Sequence, residues 1–245
     1  MNENNTKPLI VANQLNKVVS SPDGDLNLLE NVNLQIYSAQ SIAIVGASGA
    51  GKSTLLAILA GLDTPSSGQV LLDDTDLFKL DEDGRALLRG RLIGFVFQSF
   101  QLLPSLTAIE NVMLPLEILS VEDARQKATD VLQRVGLEKR AGHYPRQLSG
   151  GEQQRVAIAR AFAVQPKILL ADEPTGNLDM KTGEKIIDLL FSLNTEQQTT
   201  LILVTHDEKL ASRCDRVLHM EKGQLAEPLI AKASEQSSAE ISAHV

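Results

Sequence analysis

The chain is poor in cysteine, in positive charge and in long apolar runs, and each shortage excludes something. Cys214 is the only cysteine in 245 residues, so no internal disulfide can form and the composition fits a reducing compartment. Such a cysteine reads as a small buried apolar residue rather than a reactive thiol. No apolar run reaches the roughly 18 residues that a membrane-crossing helix needs. The opening Met1-Asn-Glu-Asn-Asn-Thr-Lys7 lacks the basic segment and apolar core of a secretory leader, so a cytoplasmic protein is expected. Positive charge is short too: 23 Lys and Arg face 31 Asp and Glu, a net charge of −8. A nucleic-acid partner wants a basic face, so none is expected. No internal repeat is visible.

What is present alternates between two periods. Residues 9–36 alternate apolar and polar, with Leu9, Val11 and Leu15 and then Leu26, Leu28, Val32, Leu34 and Ile36. That pattern predicts a small antiparallel sheet, split by a turn at Pro22-Asp-Gly24. Residues 42–45 read as a short buried strand, 52–60 as a helix ended by Gly61, and 92–98 as another strand. From Thr107 to about Ala163 the character turns helical, which predicts an α-helical lobe. Buried strands follow at 168–171 and 200–204, with an amphipathic helix at 183–193 between them. Strands alternating with helices imply right-handed crossovers and a mainly parallel sheet. Such a sheet binds ligands beyond its strand carboxyl ends. The polar segment after Pro228 is expected to be a disordered tail without function.

Immediately after the strand at 42–45 comes Gly46-Ala47-Ser48-Gly49-Ala50-Gly51-Lys52-Ser53-Thr54. Gly46, Gly49 and Gly51 let the backbone turn tightly and bring its N–H groups onto phosphate oxygens, where a Cβ would obstruct. Lys52 supplies charge to the β- and γ-phosphates, and the Ser53 hydroxyl is placed to ligate Mg²⁺. A strand before and a helix after give the order that a phosphate loop requires.

Two acids, Asp172 and Glu173, end the strand at 168–171. They read either as a solvated turn before Pro174 or as chemistry. In the second reading a strand neighbouring the phosphate loop delivers Asp172 to the Mg²⁺ shell, and Glu173 polarises the attacking water as general base. His206 ends the last strand and is either structural or functional. A second glycine segment, Leu148-Ser149-Gly150-Gly151-Glu152-Gln-Gln-Arg155, opens a helix. Its N–H groups and the Ser149 hydroxyl suit either a phosphate or an ordinary helix cap.

Together these motifs closely resemble the nucleotide-binding subunits of ABC transporters over roughly residues 9–226. The order matches throughout: the Walker A loop at 46–54, the Q-loop Gln98, the LSGGEQQR signature at 148–155, Walker B with its glutamate at 168–173, the D-loop Asn177-Leu-Asp179 and the switch His206. Gly94-Phe-Val-Phe-Gln-Ser99 and Ala171-Asp-Glu-Pro-Thr-Gly-Asn-Leu-Asp179 look like the lipoprotein-releasing, macrolide-export and YbbA-like subgroup.

The resemblance implies one nucleotide-binding domain over residues 1–228, with an α/β P-loop NTPase core and a mainly parallel sheet. A small N-terminal antiparallel β-subdomain and an inserted α-helical subdomain at about 99–163 would complete it. It implies an ATPase that uses ATP and Mg²⁺ and closes as a homodimer, each ATP lying between one Walker A loop and the partner's Ser149, Gly150, Gly151 and Glu152. Gln98 would touch Mg²⁺ and the attacking water, His206 would hold the γ-phosphate, and Asp179 would couple the two sites. Integral-membrane permease subunits are the implied partners, holding the chain at the inner face of the cytoplasmic membrane. The implied work is export or extraction of a substrate, with transmembrane signalling without transport as the alternative. One departure stands out: Lys17-Val18-Val19 occupies the stretch where many members stack an aromatic residue on adenine. An aliphatic surface there predicts weak discrimination between ATP and GTP.

Overall fold

The computed structural model describes residues 7–22 and 24–226; the expected tail after Pro228 lies outside them. A long hairpin opens the chain, β1 (Pro8–Ser21) against β2 (Gly24–Tyr37). Then come β3 (Ser41–Val45), α1 (Lys52–Leu59), β4 (Ser67–Leu72), β5 (Thr75–Asp76), α2 (Glu82–Leu92) and β6 (Ile93–Phe97). Helices α3 (Ala108–Ile118), α4 (Ala124–Arg134) and α5 (Gly150–Phe162) follow. The chain closes with β7 (Ile168–Asp172), α6 (Met180–Gln197), β8 (Thr200–Thr205), α7 (Glu208–Ala211), β9 (Arg216–Glu221) and β10 (Gln224–Ala226).

The strands form two sheets, an antiparallel one in the order β2-β1-β4-β5 and a larger one in the order β10-β9-β3-β8-β7-β6. In the larger sheet every pairing is parallel except that of β9 with β10. The α/β class, the N-terminal antiparallel sheet and the helical insertion are all present. Each central strand reads as a continuous apolar run because both faces are covered: β3 and β8 are buried at every position.

Local chemistry explains the helix ends. Gly51, at φ +104°, turns the chain into α1, and Gly61, at φ +65°, stops it with its N–H on the Ile58 carbonyl at 2.9 Å. Thr107 and Glu110 cap α3 reciprocally. Asp179 caps α6 through the Thr182 N–H, so this helix starts three residues before and ends four residues after the stretch expected from periodicity. The sequence reading left 62–91 unassigned; it holds β4, β5 and α2, and β4 pairs with β1 across more than fifty residues.

One face of the larger sheet packs on α1 and the antiparallel sheet through residues such as Ile42, Leu55, Ile58 and Leu170. On the other face Leu169, Ala171, Leu201 and Leu203 share a cluster with Val112 of α3, Leu132 of α4 and Phe162 of α5. The helical insertion therefore shares its core with the sheet.

Candidate functional site at four parallel strand ends

Strands β3, β8, β7 and β6 lie side by side and parallel, so their carboxyl ends line one edge. Past those ends come, in the same order, the phosphate loop, His206, Asp172 with Glu173, and Gln98. The expectation that β7 neighbours the phosphate-loop strand needs correcting, because β8 lies between β3 and β7. Asp172 nevertheless reaches the loop. Helix α1 crosses the sheet face, with Leu55 and Ile58 packed in the cluster that holds Ile202 and Leu170. This brings the Ser53 hydroxyl close enough to the Asp172 carboxylate to favour its charged form.

The loop itself is a tight cradle. A Cβ on Gly46 would collide with the Met220 carbonyl, and one on Gly51 would lie 2.5 Å from the Leu28 carbonyl. Gly49, at φ +80°, takes a conformation that side chains disfavour. Ala47, Ser48 and Gly49 are exposed, whereas Ala50 is buried and its N–H bonds the Ala47 carbonyl at 3.2 Å. Lys52 is 7% exposed. Its ammonium donates to the Gly46 and Ala47 carbonyls, each at 2.9 Å. Among the described residues no carboxylate lies within 4.0 Å of it. Thr54 is half-buried at the third position of the helix.

Burial pushes the Asp172 carboxyl above the usual aspartate range, against the opposing pull of Ser53 and Lys52. Glu173 sits at φ +44°, its N–H bonded to the Val204 carbonyl of β8 at 2.9 Å. This left-handed turn aims its carboxylate at His206, whose Nδ1 lies 3.1 Å from Oε2. Glu173 is mostly buried and His206 mostly exposed, so the pair faces outward from the strand ends.

Gln98 is exposed and makes no hydrogen bond to Ser53 or Asp172 among the described residues. Its side chain lies against Gly176, where a Cβ would sit 2.6 Å from Nε2, and its carbonyl accepts from Asn177 Nδ2 at 2.9 Å. The second glycine segment forms a full capping box. The Ser149 hydroxyl accepts from the Glu152 N–H at 3.3 Å, and Glu152 Oε2 accepts from the Ser149 N–H at 2.8 Å. Glu152 also pairs with Arg140 at 3.0 Å. Gly150 meets Leu178, and Gly151 closely approaches Thr182. The two glycine segments thus have different neighbours within the chain: β2 and β9 hold the first, the start of α6 the second.

Gln154 was not singled out by sequence. It is fully buried, and its Nε2 donates to the Pro174 carbonyl at 2.7 Å, tying α5 to the acidic turn. The available signal was a polar residue on the face of α5 shared by the buried Gly151 and Ile158. Val18 and Val19 are exposed near the hairpin tip, with Val19 opposite Leu26. Lys17, opposite Leu29 in the register, is tied to Asp63 at 2.7 Å. Leu29 touches Gly51, so this apolar strip borders the phosphate loop.

Known proteins share the family and the fold of this chain. A family model described as ABC transporter matches residues 29–176. The uncharacterised ABC transporter ATP-binding protein YbbA of Escherichia coli (strain K12) is 55% identical over 221 residues, 89% of this chain and 97% of that protein. The lipoprotein-releasing system ATP-binding protein LolD of Legionella pneumophila (strain Paris) is 48% identical over 219 residues, 89% of this chain and 96% of its own. Among solved structures, the ATP-binding cassette MJ0796, a dimer in a post-hydrolysis state with ADP and Pi, matches with a TM-score of 0.82 at 43% identity. That match covers 89% of this chain and 98% of the cassette. This chain belongs to the ABC transporter family.

Proposed function

We propose that this chain is the ATP-hydrolysing subunit of a membrane ABC complex. It closes as a homodimer over ATP and drives integral-membrane permease subunits that export or extract a substrate. One observation carries the reading: Lys52, buried at the start of α1, holds its ammonium on two loop carbonyls and makes no ion pair with Asp172, the acid whose charge it favours. A buried cation with no carboxylate in contact is costly. The loop around it is too tight for side chains at Gly46 and Gly51, while its span from Ala47 to Gly49 is exposed and open to an anion. A polyphosphate fits both conditions.

The donor set also fits Mg²⁺. Ser53 and Asp172 are hard oxygen ligands that lie close together, and Gln98 follows β6, the strand next to that of Asp172. Mg²⁺ bound there supplies charge neutralisation at the β- and γ-phosphates. The chain's own residues do the rest. Residues 46–54 hold the phosphates, Glu173 accepts the proton of the attacking water, and His206 orients Glu173 and holds the γ-phosphate. Ser149, Gly150, Gly151 and Glu152 act on the partner's nucleotide, and Asp179 links the two sites. The dimeric MJ0796 cassette with ADP and Pi supports this arrangement, and the LolD relative, named for lipoprotein release, supports extraction or export.

No helix among the described residues is long and apolar enough to cross a membrane; attachment to the cytoplasmic face runs through the permease. A single nucleotide-binding domain over residues 1–228, with its helical subdomain at about 99–163, is the unit that does this work.

Replacing Glu173 by Gln tests the site. ATP binding should persist, turnover should fall at least about 100-fold, and an ATP-dependent dimer should accumulate on size exclusion. Hydrolysis near the normal rate would remove Glu173 from the role of base. Co-expression with a permease tests the partner: membrane association and altered ATPase activity are expected, and the absence of both would overturn it.

A further inference from the structure

Behind Gln98 the backbone takes an unfavourable path. Phe100 and Gln101 are consecutive non-glycine residues in the left-handed region, at φ +60° and +50°, where a Cβ crowds the backbone. The turn's own bonds are few: Phe100 N–H to the Phe97 carbonyl at 3.2 Å and Gln101 N–H to the Ser99 carbonyl at 2.6 Å. Arg160, on the last turns of α5, completes it. Nη1 donates to the Gln101 carbonyl at 2.7 Å and Nη2 to the Phe100 carbonyl at 3.1 Å. Among the described residues no carboxylate pairs with Arg160, although burial disfavours its charge. The planar fork is spent on two carbonyls of a strained turn, a geometry that a single ammonium matches poorly. At the other end of the same helix, a Cβ on Gly150 would lie 3.7 Å from Cζ of Phe100 and 3.3 Å from Leu178 Cδ2. The turn therefore touches α5 at both ends, and Gln98, two residues before it, is clamped between Gly176 and Asn177.

We propose that Arg160 and Phe100 are positioning residues for hydrolysis. Arg160 holds the left-handed turn that lays Gln98 against Gly176, and Phe100 registers that turn on Gly150, so that α5 and Gln98 move together. This rests on the reading of Gln98 as a residue of the hydrolytic site.

The test is a double-mutant cycle in the full chain, read as steady-state hydrolysis of Mg-ATP. Arg160→Met should lower kcat about tenfold or more, as expected for a misplaced active-site group. KM should stay within about twofold, because Lys52 and the phosphate loop are untouched. In a Gln98→Ala background the same change should cost less than about twofold, since its route is already cut. Adding Gln101→Gly to Arg160→Met should restore most of the rate, because glycine adopts φ near +50° without a clamp. Additive losses, a raised KM with kcat kept, or no glycine rescue would each overturn the proposal. Should Arg160→Met fail to fold by circular dichroism, Arg160→Lys carries the same cycle with an intermediate loss. If Gln98→Ala alone turns over at the wild-type rate, the site reading fails and this proposal with it. If Gln98→Ala is slow yet Arg160→Met adds its own full loss, only the positioning role falls.

Discussion

Asp172 shows how a single side chain can work against the stability of the fold that holds it. Burial disfavours its charged form, and only the Ser53 hydroxyl and the nearby Lys52 charge oppose that. Asp172→Asn keeps the shape and removes the buried charge, so the nucleotide-free chain should melt at a higher temperature while ATP turnover is lost. A lower melting temperature would contradict this account. Gly51 is the reverse case. At φ +104°, with the Leu28 carbonyl 2.5 Å from where its Cβ would be, Gly51→Ala should cost about 2 kcal/mol or more in urea unfolding and abolish ATP binding. In the proposed site the exposed Val18 and Val19 would offer the base aliphatic contact without stacking. ATP and GTP should then bind within roughly tenfold of each other, a difference of about 1.4 kcal/mol; a much larger preference, measured by competition, would refute the aliphatic platform. Cys214 behaves as its isolation suggested, a half-buried thiol that burial pushes up to about 12.

Among the elements, α5 has the clearest local cause. Its capping box satisfies orphan N–H groups at the start, and the Ser149 N–H and hydroxyl, followed by Arg140, hold the Glu152 carboxyl below its ordinary value of 4.5. The sign follows from that depression. The contribution of Glu152 is complete above its unfolded pKa and disappears as pH falls through the lower folded value. Glu152→Ala should therefore cost about 1 kcal/mol at pH 7, and its difference from wild type in urea midpoint should shrink as pH falls below the ordinary value of 4.5. A gap that stays constant with pH would assign the loss to something other than the carboxylate. Elements held by local signals were legible in advance: the strand, loop and helix at 42–60 stand within a residue of the expected bounds, and α5 starts at Gly150, two residues before the Glu152 that the sequence suggests, because Ser149 takes the capping position. Strand β4 was not legible. Ser67-Gly-Gln-Val-Leu-Leu72 has broken alternation, and what makes it a strand is pairing with β1, a contact far away in sequence.

At the level of the whole molecule, the two glycine segments predict complementation. Residues 46–54 pack on β2 and β9, and Ser149-Gly-Gly151 packs on the start of α6. If each ATP lies between one chain's loop and its partner's second segment, Lys52→Ala and Ser149→Arg should each abolish turnover alone. Mixing the two should restore measurable hydrolysis, because one of the two sites in the heterodimer is then intact. A mixture as inactive as its parents would place both segments at one site within one chain. The same geometry makes activity steep in protein concentration near the dimerisation midpoint, and Glu173→Gln, which keeps its ATP, should form the dimer at lower protein concentration, read by size exclusion.

By itself the sequence determined the chemistry. A glycine-spaced loop with Lys52 and Ser53, an apolar run ending in Asp172 and Glu173, and a capped helix preceded by Ser149 are each written in a segment of about ten residues. Residue types at that spacing carry their chemical character before any distant contact forms. The tertiary structure alone decided which of these groups meet. It put β8 between β3 and β7 and carried α1 across the sheet so that Ser53 still reaches Asp172. It also laid Gln98 on Gly176 and set Arg160 on a strained turn sixty residues away. Strand order and helix crossing follow from burying two sheet faces at once, a non-local requirement that no short motif records.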